Sequence, residues 1–145
     1  MQTFLTYSNF AMTADSLDYR RLGKQRVEAF QIINVLTGVQ KTKGWHNHPA
    51  VRMWENNIDA LKLYHNEIIK GWLRRGYKNN MSLYDVPDNP EMPWWMNNEE
   101  IHRSHRARLI AKLPAYYESQ WPEDKGYNNS KYWWPVNETK TFKII

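Results

Sequence analysis

Asp18, Arg21, Gln25 and Glu28 lie 3, 4 and 3 residues apart in the segment DYRRLGKQRVE, so a helix would present two carboxylates, a guanidinium and an amide on one face. Arg20, Lys24 and Arg26 crowd the same stretch. Leu22, Ala29, Ile33 and Leu36 form a neighbouring apolar stripe by the same spacing. The polar row therefore borders the core, whereas a solvated face would lie across the helix from it. Charges beside a core lose hydration, which favours pairing and shifts their proton affinity, as in catalytic sites. An Arg–carboxylate network that merely anchors the helix has the same signature, and the segment alone leaves both readings open.

A second dense cluster reads His102-Arg103-Ser104-His105-Arg106-Ala107-Arg108. His102 with Arg106, and His105 with Arg108, are helical neighbours. Arginine forks grip phosphate oxygens well, so this is a candidate strand-binding face, with a solvated basic helix as the plainer account. Two imidazoles at i, i+3 with Glu99 among arginines make a poor cation site, and no metal is expected. His46 and His48 flank Asn47, where capping and turn formation suffice to explain Asn47-His48-Pro49. There is no glycine-rich phosphate loop, no GxSxG elbow and no HExxH. Basic residues do interleave with aromatics, and Tyr19, Trp45, Tyr77, Tyr116, Tyr117 and Trp121 are candidates to stack on bases.

The elements that must position these groups are mostly helical. Residues 2–10 carry aromatic and β-branched side chains without a helical period and read as an extended arm. A first helix follows from Thr13 or Asp15 to Thr37, ended by Gly38, with Gly23 inside it marking a kink or a close approach by another backbone. Val39–Trp45 reads as a basic loop. A second helix starts at Asn47 or His48 and Pro49. Val51, Trp54, Ile58, Leu61, His65, Ile68 and Trp72 step by 3 and 4 along it to Arg75-Gly76. His65 in that stripe reads as a hydrogen-bonded core histidine. Residues 77–97, with Pro87, Pro90 and Pro93, form a long ordered loop clamped by Trp94 and Trp95. A third helix runs from Asn97 or Asn98 to Lys112, and a short fourth from Pro114 to Gln120, before a tail that wraps the body. The expected fold is all-α: one compact domain over residues 1–145, with three main helices, a short C-terminal helix, an extended N-terminal arm and long ordered loops.

The composition narrows the function. The chain has 145 residues, no Cys, a net charge of +5 and a pI near 9.4. Disulfides, thiolate zinc sites and a Cys nucleophile are excluded. The basic balance suggests a polyanionic partner, most simply nucleic acid. The sequence has no long apolar run and no basic-then-apolar leader, so a soluble protein without a signal peptide or membrane association is expected.

In order along the chain, these residues resemble the pyrimidine-dimer DNA glycosylases of the phage-type endonuclease V group. Tyr19-Arg20-Arg21-Leu22 is similar to the family's Tyr/His-Arg-Glu-Leu. Gly44-Trp45-His46-Asn47-His48-Pro49 with Arg52 and Trp54 is similar to its Gly-Tyr-x-Asn-His-Pro and Arg-Trp pattern. Arg75-Gly76-Tyr77, Ala107-Arg108-Leu109 and Pro114-Ala115-Tyr116-Tyr117 resemble later motifs. The resemblance implies an all-α fold and removal of a damaged base from duplex DNA, a pyrimidine dimer first of all, followed by AP-lyase strand nicking. The nucleophile would be the N-terminal α-amine, with a helix-borne glutamate in support.

This chain departs from that pattern twice: Arg21 occupies the glutamate position, and Gln2, too bulky for Met removal, leaves the amine on Met1. The expected catalytic set is therefore Glu28, with Asp18 as its competitor, and Met1. Arg20, Arg21, Lys24, Gln25, His48, His102, Arg103, His105, Arg106, Tyr116 and Tyr117 are the expected DNA-binding set. No cofactor is implied. A monomer acting on damaged duplex DNA in the cytoplasm of a bacterial or phage-infected cell is expected. The alternatives are a non-catalytic DNA-binding protein on the same scaffold, or an enzyme acting on nucleotides or nucleosides.

Overall fold

The computed structural model describes residues 1–40 and 45–145. Most of the basic loop read over Val39–Trp45, including Gly44 of the motif above, lies outside the described residues. Among the described residues six α-helices are formed: α1 (Phe10–Ser16), α2 (Tyr19–Leu36), α3 (Pro49–Arg52), α4 (Ile58–Arg74), α5 (Glu99–Lys112) and α6 (Pro114–Tyr117). An antiparallel hairpin of β1 (Trp133–Val136) and β2 (Thr141–Ile144) follows, with Trp133 opposite Ile144 and Trp134 opposite Lys143. The all-α expectation is thus corrected to a mainly helical fold with a small sheet. The hairpin was hidden because its strands are short, and Pro135 and the Trp133-Trp134 pair blur any alternation. Among the described residues no helix is long and apolar enough to cross a membrane.

Two expected helices are broken where a side chain claims the backbone. The first splits into α1 and α2 because Asp18 takes extended backbone and its carboxylate caps α2 at the Arg21 N–H. The second splits into α3 and α4 across Met53–Asn57. His48 caps α3 by accepting from the Ala50 N–H, and Trp95 Nε1 donates to the Met53 carbonyl in the break. The 3- and 4-residue stripe survives because the break keeps Val51 and Trp54 facing the same core as Leu61, His65 and Ile68. The third helix starts as expected, with Asn98 capping α5. The long segment after Tyr77 contains no helix or strand before α5, and Trp95 within it is fully buried. Gly23 does mark a close approach, but by a side chain: a Cβ there would lie 3.0 Å from the Trp72 indole.

The N-terminal arm threads the core and, among the described residues, pairs with no strand. Its backbone groups still need partners once buried, and side chains supply them. The Phe4 N–H donates to Gln25 Oε1 (3.0 Å) and the Leu5 N–H to His105 Nδ1 (2.9 Å). His102 Nδ1 stands 2.8 Å from the Leu5 carbonyl, and Arg106 donates to the Thr6 carbonyl at 2.7 Å. Trp54 Nε1 donates to Thr3 Oγ1 at 3.0 Å. Phe4 and Leu5 join Leu22, Ile33, Leu61, Ile68, Trp95 and Leu109 in a single core.

A candidate active site on α2

The row Asp18, Arg21, Gln25, Glu28 lines a cavity of about 870 Å³, together with Tyr19, Arg20 and Lys24 of the same helix. Met1, Gln2 and Phe4 of the arm form a second wall. Lys112, Leu113 and Tyr116, then Tyr132 and Trp134 at the hairpin, close the rest.

Gln25 organises this site. Its Oε1 accepts from the Phe4 N–H and lies 2.8 Å from the Tyr64 hydroxyl. Its Nε2 donates to the Gln2 carbonyl (2.9 Å) and to Glu28 Oε2 (2.6 Å). The amide orientation follows from the backbone: oxygen must face the Phe4 N–H and nitrogen the Gln2 carbonyl. One of the two amide hydrogens is thereby committed to the carboxylate.

Glu28 is half-buried, and burial pushes its carboxyl above the usual range, against the opposing pull of Lys24, the Met1 α-amine, Gln25 and Lys112. The same amine and burial hold His48 below the ordinary imidazole range. Across the cavity, loss of hydration lowers the Lys112 ammonium, and Arg21, Arg108 and Lys24 add to it while Glu28 opposes. One carboxylate thus stands among the chain's α-amine, two lysines and an amide donor.

Asp18 is differently employed. Burial pushes its carboxyl up, but hydrogen bonds from Tyr117 and Arg21 outweigh this and hold it below the usual range. It caps α2, pairs with Arg21 at 3.2 Å, accepts from the Tyr117 hydroxyl, and its own N–H donates back to that oxygen at 2.8 Å. Both of its oxygens thus accept from groups within the fold.

Of the expected site residues, Met1, Asp18, Arg20, Arg21, Lys24, Gln25, Glu28 and Tyr116 are brought together around the cavity. Tyr117 is fully buried beneath it, stacked on Trp121 with ring centroids 5.4 Å apart. His48 caps α3 and packs edge-on to Trp134.

His102, His105 and Arg106 of the α5 cluster turn inward, which corrects their reading as strand-gripping residues, while Arg103 and Arg108 stay partly exposed. His102 and His105 are buried against the arm. Arg106 is buried between Asp124 and Glu99, each at 2.7 Å, and Arg103 pairs with Asp124 at 2.8 Å. Burial of His105, with His102 and Arg106 nearby, lowers its pKa to about 3.

Gln2, Lys112, Tyr132 and Trp134 complete the cavity and were missed. Lys112 carried one signal, since it follows Arg108 by one helical turn. The tail residues carried none, because only the hairpin brings them back to α2.

Residues 1–85 match the sequence model of the family described as pyrimidine dimer DNA glycosylase. No curated protein and no solved structure matches the chain.

Proposed function

The chain belongs to the pyrimidine dimer DNA glycosylase family, and on that premise we propose that its cavity releases a damaged pyrimidine from duplex DNA and then nicks the strand. The observation that carries this reading is the Met1 α-amine and the half-buried Glu28 carboxylate sharing one cavity, close enough for the amine's charge to act on the carboxyl. In its neutral form such an amine is a nucleophile able to form a covalent imine with a sugar carbon.

In the proposed reaction the amine nitrogen attacks the sugar C1′. The C1′–N bond to the base breaks, and its electron pair leaves with the base, which takes up the proton that the amine nitrogen sheds on bonding to C1′. Glu28 stabilises the cationic character that develops at C1′. Ring opening of the aminosugar then gives an imine. Glu28 removes a C2′ proton, and β-elimination expels the 3′ phosphate oxygen and breaks the strand. Gln25 holds Glu28 in place, Asp18 positions Arg21, and Arg20, Arg21 and Lys24 hold phosphates along the rim.

Arg21 at the family's glutamate position favours a second reading, a DNA-binding protein without chemistry. One experiment separates the two: a duplex with a single cyclobutane pyrimidine dimer, run on a denaturing gel directly and after photoreversal with hot alkali. The expected result is a dimer-dependent break in the untreated sample, lost in Glu28→Gln while duplex affinity stays within about twofold. A break only after treatment would limit the chemistry to base release. Binding with no break in either sample would select the second reading.

A further inference from the structure

Two glycines, one inside a helix and one just past a helix end, build one exposed aromatic ribbon. Gly23, inside α2, leaves room for the Trp72 indole, whose ring lies 3.0 Å from where a Cβ would stand. Gly76 turns the chain after α4 with φ +84, a backbone state glycine adopts without strain, and delivers Tyr77 onto that indole. Tyr77 and Trp72 are stacked with centroids 4.3 Å apart, and Tyr19 follows at 6.3 Å from Tyr77. Arg26 lies over Trp72 at 4.4 Å, and Arg20 over Tyr19 at 5.7 Å.

The ribbon is held rigidly. Trp72 Nε1 donates to the Lys78 carbonyl, and Arg26 donates to Asn79 Oδ1, both at 2.8 Å. Yet it is not a core. Tyr19 is 50% exposed and Tyr77 39%, and Arg26, Leu73, Tyr77 and Lys78 border a surface trough of about 740 Å³. Tyr19 also lines the cavity, so the ribbon is continuous with the candidate active site.

We infer that this ribbon is a stacking platform for unpaired bases of a nucleic-acid strand running from the cavity mouth over Tyr19 and Tyr77. A run of aromatic rings flanked by cations suits that occupant: bases stack on the rings while Arg20, Arg26 and Lys78 meet the phosphates. An apolar protein partner would gain little from the fixed guanidiniums, and a duplex keeps its bases stacked on one another. The inference deepens the proposed function, since a base drawn into the cavity leaves the base opposite it unpaired, but it rests on its own geometry.

The test compares two short single strands of equal length, an oligothymidylate and a strand of abasic tetrahydrofuran residues, which present the same phosphates with and without bases. The wild-type protein is expected to prefer the oligothymidylate by about tenfold or more, one stacked base being enough for that. Tyr77→Leu, which still covers Trp72 but offers no aromatic face, is expected to lose most of that preference while binding the abasic strand as before. Tyr77→Phe should retain it. Equal wild-type affinity for the two strands, or an unchanged preference in Tyr77→Leu, overturns the inference. No chemistry is read in this assay. Lost base release with the preference intact would therefore count against the glycosylase reading alone, and base release with no preference against the ribbon alone.

Discussion

Glu28 and Gln25 act as a pair, because one sets the state of the other. A lone half-buried carboxylate would shed its charge; here an amide locked by two backbone groups presents a donor to it. Replacing Gln25 with Leu strands the Phe4 N–H and the Gln2 carbonyl in the interior. We expect a loss of about 3 kcal/mol in stability, read from urea unfolding, because each orphaned group costs about 1–3 kcal/mol. The pH profile follows from burial. Since Glu28 is held above the usual carboxylate range, its ionised form becomes available only at a higher pH than for a free glutamate. The acid limb of base release should therefore lie above about pH 4.3, the free-glutamate value. A limb at or below that value would remove Glu28 as the working carboxylate. Stability runs the other way for this group: a raised native pKa favours the protonated fold, so its contribution fades as pH rises through that pKa.

At the scale of elements, α5 is a clamp. Its histidines and Arg106 satisfy the backbone of an arm that has no sheet to join, and so fix Met1 and Gln2 at the cavity. His105 accepts from the Leu5 N–H through Nδ1, so it must be neutral there, in keeping with its pKa of about 3. The unfolded chain protonates this ring near pH 6.5, so between 6.5 and 3 the unfolded state holds the extra proton. Stability should fall on acidification from about pH 6.5, by up to about 1.4 kcal/mol per pH unit from this group. Urea midpoints at pH 7 and 5 measure the drop. It should shrink in His105→Asn, which keeps an acceptor for Leu5 and does not titrate; an undiminished drop would place the acid sensitivity elsewhere.

This clamp also shows what the sequence could and could not disclose. The helical row of α2 was legible because period 3.6 is a local property, and it correctly placed Asp18, Arg21, Gln25 and Glu28 on one wall. The direction in which α5 faces was not, because charged residues at helical spacing look alike whether they meet solvent or an unpaired strand of backbone. The breaks at Asp18 and at Met53–Asn57 were hidden for a related reason: a side chain that takes a backbone partner, the Asp18 carboxylate at one break and the Trp95 indole at the other, interrupts the helix without disturbing the apolar stripe.

On the scale of the whole molecule, the family match over residues 1–85 covers only part of the cavity. Lys112, Leu113, Tyr116, Tyr132 and Trp134 come from beyond it, so the second half of the chain completes the walls of the cavity as well as the fold. The charges divide in the same way, with Arg20, Arg21 and Lys24 on α2 and Lys112 facing them from the end of α5. A strand lying between these walls would be neutralised from both sides. Each phosphate contact contributes about 0.9 to the slope of log K against log salt, so Lys112→Ala and Lys24→Ala should each flatten that slope by about one for a duplex ligand. If only the α2 variant flattens it, the strand lies on α2 alone, and Lys112 serves Glu28 rather than phosphate. Glu28→Gln removes a carboxylate and no cation, so it should leave the slope within about 0.3 of wild type, which separates gripping the strand from acting on it in one titration series.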